Sequence, residues 1–465
     1  MSKSIKAAAA ALMGMAVVQT ASAADLPSTK GPAVFPTIDV EPLKALSAMG
    51  FDFTGYFRAG TGGTGNGGKL ACFQLPGALS KYRLGNECED YMEIALGGTV
   101  LKTADGGIFK FNTMLGYPVA GQNVVEPVTP NFVQAWVSAT HVLPGALNSA
   151  TFWAGKRYYM REDVHINDFF FWNTSGVGGG VQDINVGFGK FAYAFFHDTN
   201  NQLTNGYSVF DTLGARHDIN GMPFLPSNRS VSRQDIRFYD VPVNPNGFLT
   251  FGGDFRLSEA GSGAFLPGQS GHDGFTVSLL HTQKELFGGK NRFAIQFGEG
   301  SGYTLSQYSD DTAGSKFHSF RIVDSLLVQP SRDWSAMFTG VIQTGYFVNP
   351  AVGLGNNAAN VGLLPVKQTW YSVGMRPQYQ FTNHVAFTVE VGEDVVAPSG
   401  GSTRTLTKIT PAILLTAGPG FFDRPQLRLF ATHAMWNQAA RNAGLTGTSS
   451  ANNSTTYGVQ AEVWW

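Results

Sequence analysis

The side chains best suited to chemistry in this 465-residue chain concentrate in one segment, residues 156–172. Six aromatic residues lie there beside Lys156 and six further charged or imidazole side chains, in a chain of which only 14% is charged. These side chains are Arg157, Arg161, Glu162, Asp163, His165 and Asp168. Most glycosidases use a pair of carboxyl groups for catalysis, although such pairs are common on any polar surface. Asp163, His165 and Asp168 are of ligand type, but no closed metal-ligand set is visible. The chemistry therefore depends on the fold that positions this segment.

The last residues of the chain, 455–465, form a predicted strand whose side chains largely alternate between apolar and polar. Tyr457 and Val459 fall on one face of the predicted strand, and Gln460 and Glu462 fall on the other. Successive side chains of a strand point to opposite faces. The apolar face would cover a core in a soluble sandwich, whereas it would meet lipid in an outer-membrane barrel with a polar lumen.

Seventeen strand-like segments follow one another from residue 51 onward. Bacterial barrels need an even number of strands, so we expect that residues 181–198 contain two strands. Connections are short at Pro245-Asn246-Gly247 and Thr382-Asn383, and long at 60–90, 160–180 and 199–231. Short turns at one end and long loops at the other are typical of membrane barrels, so the sequence favours an all-β antiparallel transmembrane barrel over residues 51–465.

The N-terminus predicts export. Lys3 and Lys6 precede a short apolar run at 7–18, and Ala21-Ser22-Ala23 offers a cleavage site, so residues 1–23 read as a signal peptide. The proline-interrupted residues 24–50 predict a periplasmic N-terminal extension. The formal net charge of -1 argues against nucleic acid as a partner.

Two cysteines, Cys72 and Cys88, are present in this exported chain. A lone pair close in sequence most readily forms one disulfide, which would stiffen an external loop by about 3 kcal/mol. Metal binding is the poorer interpretation, because two thiols supply only half of the ligands that a structural zinc site needs. We expect neither a metal nor a cofactor.

Strand parity assigns several side chains to the lumen. If the apolar positions face lipid, then the inward residues include Tyr56, Arg58, Tyr91, Glu93, Trp370 and Trp464. Inward aromatic rings suggest a path on which sugar rings stack, with charged groups bonding hydroxyls. The alternative is that these rings belong to the interfacial girdle or fill space. For residues 156–172 we favour a loop folded into the pore over a solvated external loop.

Longer motifs now point to a family. The stretches FTGYFRAGTGGTGNGG (53–68), WAGKRYYMREDVHINDFFFW (153–172), SVGMRP (372–377) and VQAEVWW (459–465) strongly resemble the maltoporins of Gram-negative outer membranes. The resemblance implies an 18-stranded antiparallel barrel, a homotrimer and an inward-folded third loop that constricts each pore. It also implies a slide of sugar-binding aromatic residues, namely Tyr56, Tyr91, Trp370 and Trp464. The implied polar track consists of Arg58, Arg83, Glu93, Arg161, Asp163 and Asp168, and a Cys72–Cys88 disulfide also matches.

The chain departs from the family pattern at four positions. Two slide aromatics fall on Val125 and Val277, a track arginine falls on Val133, and a lumen tyrosine falls on Phe170. A valine cannot stack on a sugar ring, and such contacts are worth about 1 kcal/mol each. We therefore expect weaker binding of glucose oligomers or a preference for another sugar.

The expected function is facilitated diffusion of maltose and maltodextrins across the outer membrane, without catalysis. The alternatives are a porin for a different oligosaccharide such as sucrose, or a general porin for small solutes and ions. From another class, a secreted carbohydrate-active enzyme would use Asp163 or Asp168.

Overall fold

A computed structural model describes residues 49–65, 67–119, 130–198, 209–210, 216–217, 231–258, 271–306, 314–347, 366–445 and 451–465. The predicted signal peptide and nearly all of the predicted extension lie outside these ranges. Among the described residues, none of the helices has the length and apolar character needed to cross a membrane.

Eighteen antiparallel strands form one closed sheet, because β1 pairs with both β2 and the last strand, β18. The strands are β1 Phe51–Thr64, β2 Asp90–Lys102, β3 Ile108–Val119, β4 Asn131–Thr140, β5 Thr151–Arg157, β6 Gly176–Asn185, β7 Lys190–Asp198, β8 Val231–Asn244, β9 Gly247–Ser258, β10 Gly274–Leu286, β11 Gly289–Gly300, β12 His318–Val328, β13 Trp334–Phe347, β14 Val366–Gln380, β15 Val385–Pro398, β16 Arg404–Thr416, β17 Gln426–Trp436 and β18 Asn453–Trp464. The predicted barrel is confirmed, and residues 181–198 do contain parts of two strands, β6 and β7.

The wall of the barrel is apolar outside and polar inside. In β18, Tyr457 and Val459 are 52% and 51% exposed, whereas Gln460 and Glu462 are 5% and 0% exposed. The same alternation appears in β17, where Leu427 faces outward and the buried Arg428 faces inward. A charged inner face beside an apolar outer face suits a barrel in lipid and would not suit a soluble sandwich core.

The two ends of the barrel differ. The connections at 245–246, 287–288 and 381–384 are tight, and the barrel also begins and ends at this end. At the opposite end most connections are long, although residues 399–403 make a short one. We refer to the short-turn end and the long-loop end, and in outer-membrane barrels the short-turn end faces the periplasm. Near the long-loop end, a five-residue helix, α1 Gln438–Asn442, follows β17.

Loop 65–89, between β1 and β2, corrects one expectation. It does not extend outward, since it packs against the inner faces of distant strands. The backbone N–H of Leu84 donates to Glu390 of β15 at 3.0 Å, and Gln460 of β18 donates to Glu87 at 3.0 Å. The loop carries apolar side chains that are almost fully buried, and the barrel interior is where these can leave water.

The predicted disulfide between Cys72 and Cys88 is present and links two positions 16 residues apart. It therefore closes the inward-folded part of loop 65–89 on itself. Asn86, within this cross-linked stretch, accepts from the backbone N–H of Phe73 at 2.6 Å and donates to its carbonyl at 2.8 Å.

Tyr82 anchors loop 65–89 in a niche made of two glycines of the wall. A Cβ at Gly374 of β14 would lie 2.2 Å from the Tyr82 ring, and one at Gly392 of β15 would lie 2.0 Å from it. Ser372 donates to the Tyr82 hydroxyl at 3.1 Å. The missing side chains of the two glycines thus create the space that the ring fills.

Replacing Gly392 with valine should therefore expel Tyr82 and release loop 65–89 from the wall. We expect a larger single-channel conductance in planar bilayers, because the loop occupies lumen volume. Gly65→Val is the matched control, since a Cβ at Gly65 has no atom within 4 Å. Unchanged conductance of a folded Gly392→Val barrel would contradict this account of the anchor.

Candidate functional site

The inner faces of β18, β1 and β2 carry two parallel rows of side chains that the pairing register sets. The first row is Trp464, Tyr56 and Glu93, and the second row is Glu462, Arg58 and Tyr91. Side chains directly opposite on neighbouring strands lie within contact distance. Residues that are 408 positions apart, Tyr56 and Trp464, therefore become neighbours only when the barrel closes.

Three of the predicted slide residues form a continuous row of rings. The ring of Tyr91 lies 6.1 Å from that of Tyr56, which lies 6.4 Å from the ring of Trp464 at an interplanar angle of 14°. All three side chains are only partly buried, with Arg424 lying 4.2 Å from the centre of the Trp464 ring and Arg58 lying 5.5 Å from that of Tyr91.

A dense ion network flanks this row. Arg83 of loop 65–89 bonds Glu87 and Glu462, each at 2.8 Å, and donates to the Tyr56 hydroxyl at 2.8 Å. Arg58 bonds Glu87 at 3.0 Å. Glu462 is fully buried and additionally bonds Arg424 and Arg428. A buried carboxylate is tolerated here because several guanidinium groups surround it.

Asp168 joins the same network at its edge. Its carboxylate lies 3.6 Å from Arg58. The short helical turn His165–Asn167 ends at Asp168, which adopts the left-handed conformation with φ 51°. The structure thus brings together Arg58, Arg83 and Asp168, which were predicted from distant parts of the sequence.

The segment between β5 and β6, loop 158–175, contacts inner side chains all around the barrel. Arg237 of β8 donates to the carbonyl of Met160, and Arg321 of β12 donates to that of Phe171. The backbone N–H of Arg83 donates to Ile166 at 3.1 Å. These arginines satisfy carbonyl groups that the irregular backbone leaves without strand partners.

One edge of loop 158–175 faces β2 with polar and aromatic groups. Glu93 accepts from the hydroxyls of Tyr91 at 2.6 Å and Tyr158 at 2.8 Å. The Arg161 guanidinium lies 3.5 Å from the centre of the Tyr158 ring and 4.7 Å from that of Phe170. Phe170 is 37% exposed, so this edge presents a ring face and fixed hydrogen-bonding groups together.

Asp163 lines a cavity, although the charge of Asp168 still acts on it. Together with Lys290 and Ser325 it lines a cavity of about 110 Å³ beneath loop 158–175. Its backbone carbonyl accepts from Arg292 at 2.8 Å.

Trp370 faces inward as parity predicts, but its ring is fully buried. Phe169 covers it edge-on at 5.3 Å, and its indole N–H donates to Asp394 at 3.0 Å. The sequence predicts that Trp370 belongs to an open aromatic path. In the structure, however, loop 158–175 encloses its ring.

Val277 corrects another expectation. The resemblance places it at a slide position, yet it is 40% exposed, while Thr276 and Ser278 are buried on the inner face of β10. Strand alternation therefore directs Val277 toward lipid. Val133 lies against Gly116 near Tyr91, so a lumen position is retained there. Val125 lies outside the described residues.

Sequence reasoning missed several residues of the site. Tyr158 and Glu87 lie in loops where no periodicity indicates direction, so only the fold brings them to Glu93 and Arg58. The inward direction of Glu462 is predictable from the sequence, because it alternates with outward residues in β18. Its role as the centre of the ion network depends on Arg83, which the register of β18 does not reveal.

Enclosure changes the titration of groups in loop 158–175. Burial, followed by the charge of Arg83, holds the pKa of His165 well below its usual range. Burial raises the pKa of Asp163, and Asp168 raises it further. Burial and then Glu93 raise the pKa of Tyr158 to about 12, so this phenol remains protonated and donates at neutral pH.

Among the described residues, no group of three or more His, Cys, Asp and Glu side chains is arranged to hold a metal ion. Asp163 and Asp168 instead lie in different surroundings, the first at the cavity and the second at Arg58.

The model of a family described as LamB porin matches residues 51–465. Among solved structures, a BenF-like porin from Pseudomonas fluorescens Pf-5 is similar at a TM-score of 0.48 and 9% identity, over 90% of this chain and 98% of that one. The outer membrane protein OprD from Pseudomonas aeruginosa is similar at a TM-score of 0.44 and 8% identity, over 89% and 93%. These likenesses concern the fold alone.

The low pKa of His165 predicts a pH effect on stability. Below pH ~6.5 an unfolded chain protonates this histidine, whereas the folded barrel does not, so stability should fall as pH falls through that value. In urea unfolding from lipid vesicles, His165→Asn should reduce the pH dependence between about 6.5 and 5 by up to ~1.4 kcal/mol per pH unit. An identical pH dependence in both proteins would contradict the assignment.

Proposed function

Since the chain belongs to the LamB porin family, we propose that this outer-membrane porin conducts maltose and maltodextrins by facilitated diffusion. The family and the barrel point to a channel rather than an enzyme. No energy coupling is needed, since sugar moves down its own gradient through a passage that binds it weakly.

The observation that supports this proposal best is the row of Tyr91, Tyr56 and Trp464 rings beside fixed charges. A pyranose ring has apolar faces and a rim of hydroxyls. The ring row offers surfaces for the faces, and Arg58 and Glu93 offer donors and acceptors for the rim. A pore for ions alone would have no use for such a row.

We further propose that loop 158–175 constricts the pore. Its contacts with Arg237 and Arg321, on strands at different positions around the barrel, support this role. The narrow passage would then run between the loop edge at Tyr158 and the ring row. A homotrimer is part of the proposal because the resemblance to maltoporins implies one.

A different oligosaccharide, such as sucrose, remains the alternative substrate. The enclosed ring of Trp370 favours it, because an aromatic path shortened by one ring offers fewer positions to a long glucose chain. A general porin for small solutes and ions is the second alternative. Measuring conductance against sugar concentration distinguishes it from a sugar-selective porin.

Maltodextrin added to channels in planar bilayers should block ion current in a saturable manner, because the sugar and the ions share one passage. Tyr56→Ala should weaken this block about fivefold, the loss expected for one aromatic contact. Measuring conductance against maltodextrin and sucrose concentration distinguishes the substrates. Conductance that stays constant at saturating concentrations of both sugars would support the general porin instead.

The assembly makes a separate prediction. The protein should fractionate with outer membranes and migrate in detergent as an oligomer that heating converts to monomers, because closed barrels resist mild detergent. Gel mobility with and without heating measures this. A soluble monomer would contradict both the location and the trimer.

A further inference from the structure

The ring row continues beyond Trp464 onto Phe422, a residue of the turn 417–425 at the short-turn end. The Phe422 ring lies 6.5 Å from the ring of Trp464, a step similar to the 6.1 and 6.4 Å steps earlier in the row. Its neighbour Phe421 is 3% exposed, whereas Phe422 is only partly buried. Phe421 is therefore part of the packed interior, whereas Phe422 packs against it and keeps part of its surface accessible.

His165 holds this ring in position. It contacts Phe422 at 5.1 Å and Trp464 at 5.9 Å, in both cases edge to face. Since its low pKa keeps the imidazole neutral, it packs as an aromatic group against both rings.

Phe422 also borders the cavity beneath loop 158–175. The cavity measures about 110 Å³, well above the ~10–15 Å³ that a single water requires. Leu327 and Met337 add apolar surface next to Phe422. The cavity is therefore wide enough for a group larger than water and has one apolar wall.

The polar lining of the cavity matches a neutral polyol. Lys290 supplies donors, Asp163 supplies acceptors, and Ser325 supplies both. Arg292 also borders the cavity but is engaged by Glu162 and by the carbonyl of Asp163. The charges of Lys290 and Asp163 balance, so the lining favours uncharged hydroxyl groups over an anionic ligand.

We propose that this cavity is a saccharide subsite on the short-turn side of loop 158–175, with Phe422 as its stacking platform. The sugar path then runs over Tyr91, Tyr56, Trp464 and Phe422, and it bypasses the buried Trp370. This subsite rests on the proposed sugar-porin function and adds its last binding position before the periplasm.

The test is current block by maltohexaose and maltose in planar bilayers, with sugar added to one side at a time. Phe422→Leu retains apolar volume but removes the flat ring, so it should weaken maltohexaose block about fivefold. The loss should be larger for sugar added from the short-turn side, and smaller for maltose, which can occupy other positions. Phe422→Trp should preserve the block.

Phe381→Leu is the matched control, because Phe381 lies at the same end of the barrel but is 62% exposed and packs on Tyr379. Sugar should block Phe381→Leu channels as strongly as it blocks wild-type channels. If wild-type channels are blocked and folded Phe422→Leu channels are blocked equally well, the subsite is overturned while the sugar-porin function stands. If wild-type channels show no block by either sugar, both are overturned.

Discussion

Closure of the hydrogen-bond ladder between β1 and β18 is the constraint on which the rest of this structure depends. Unpaired backbone groups cannot be tolerated in lipid, so the sheet must have no edge. Closure sets Tyr56 beside Trp464, and it sets Arg58 beside Glu462. The proposed sugar path includes the seam where the first and last strands of the barrel meet.

The interior of the closed barrel must be filled by side chains and loops, and the buried polar groups there need hydrogen-bonding or charged partners. Loops 65–89 and 158–175 both enter it, and both depend on inward arginines. Glu462 shows the cost of this arrangement, because a fully buried carboxylate needs Arg83, Arg424 and Arg428 around it. Removing one member of such a cluster leaves an uncompensated buried charge. The two loops and the wall are therefore coupled electrostatically, and the ring row is rigidly supported on one side.

Strand alternation made much of the architecture predictable. Parity assigned Tyr56, Tyr91 and Trp464 to the lumen, because in a two-faced strand the sequence alone decides direction. The loops were less accessible. Loop 65–89 contains Tyr82, whose inward position depends on two glycines about 300 residues later in the chain. The slide position that the family resemblance implies for Val277 is wrong, because the observed register turns this side chain outward. Burial of Trp370 could not be predicted either, since Phe169 covers it from another segment.

The central claim is that the row of aromatic rings at the β18–β1–β2 seam binds sugar. The most direct measurement is a structure of the protein saturated with maltohexaose. The account predicts glucosyl rings lying against Tyr91, Tyr56 and Trp464, with hydroxyls near Arg58 and Glu93. Sugar bound elsewhere in the lumen, with these rings bare at saturation, would contradict it.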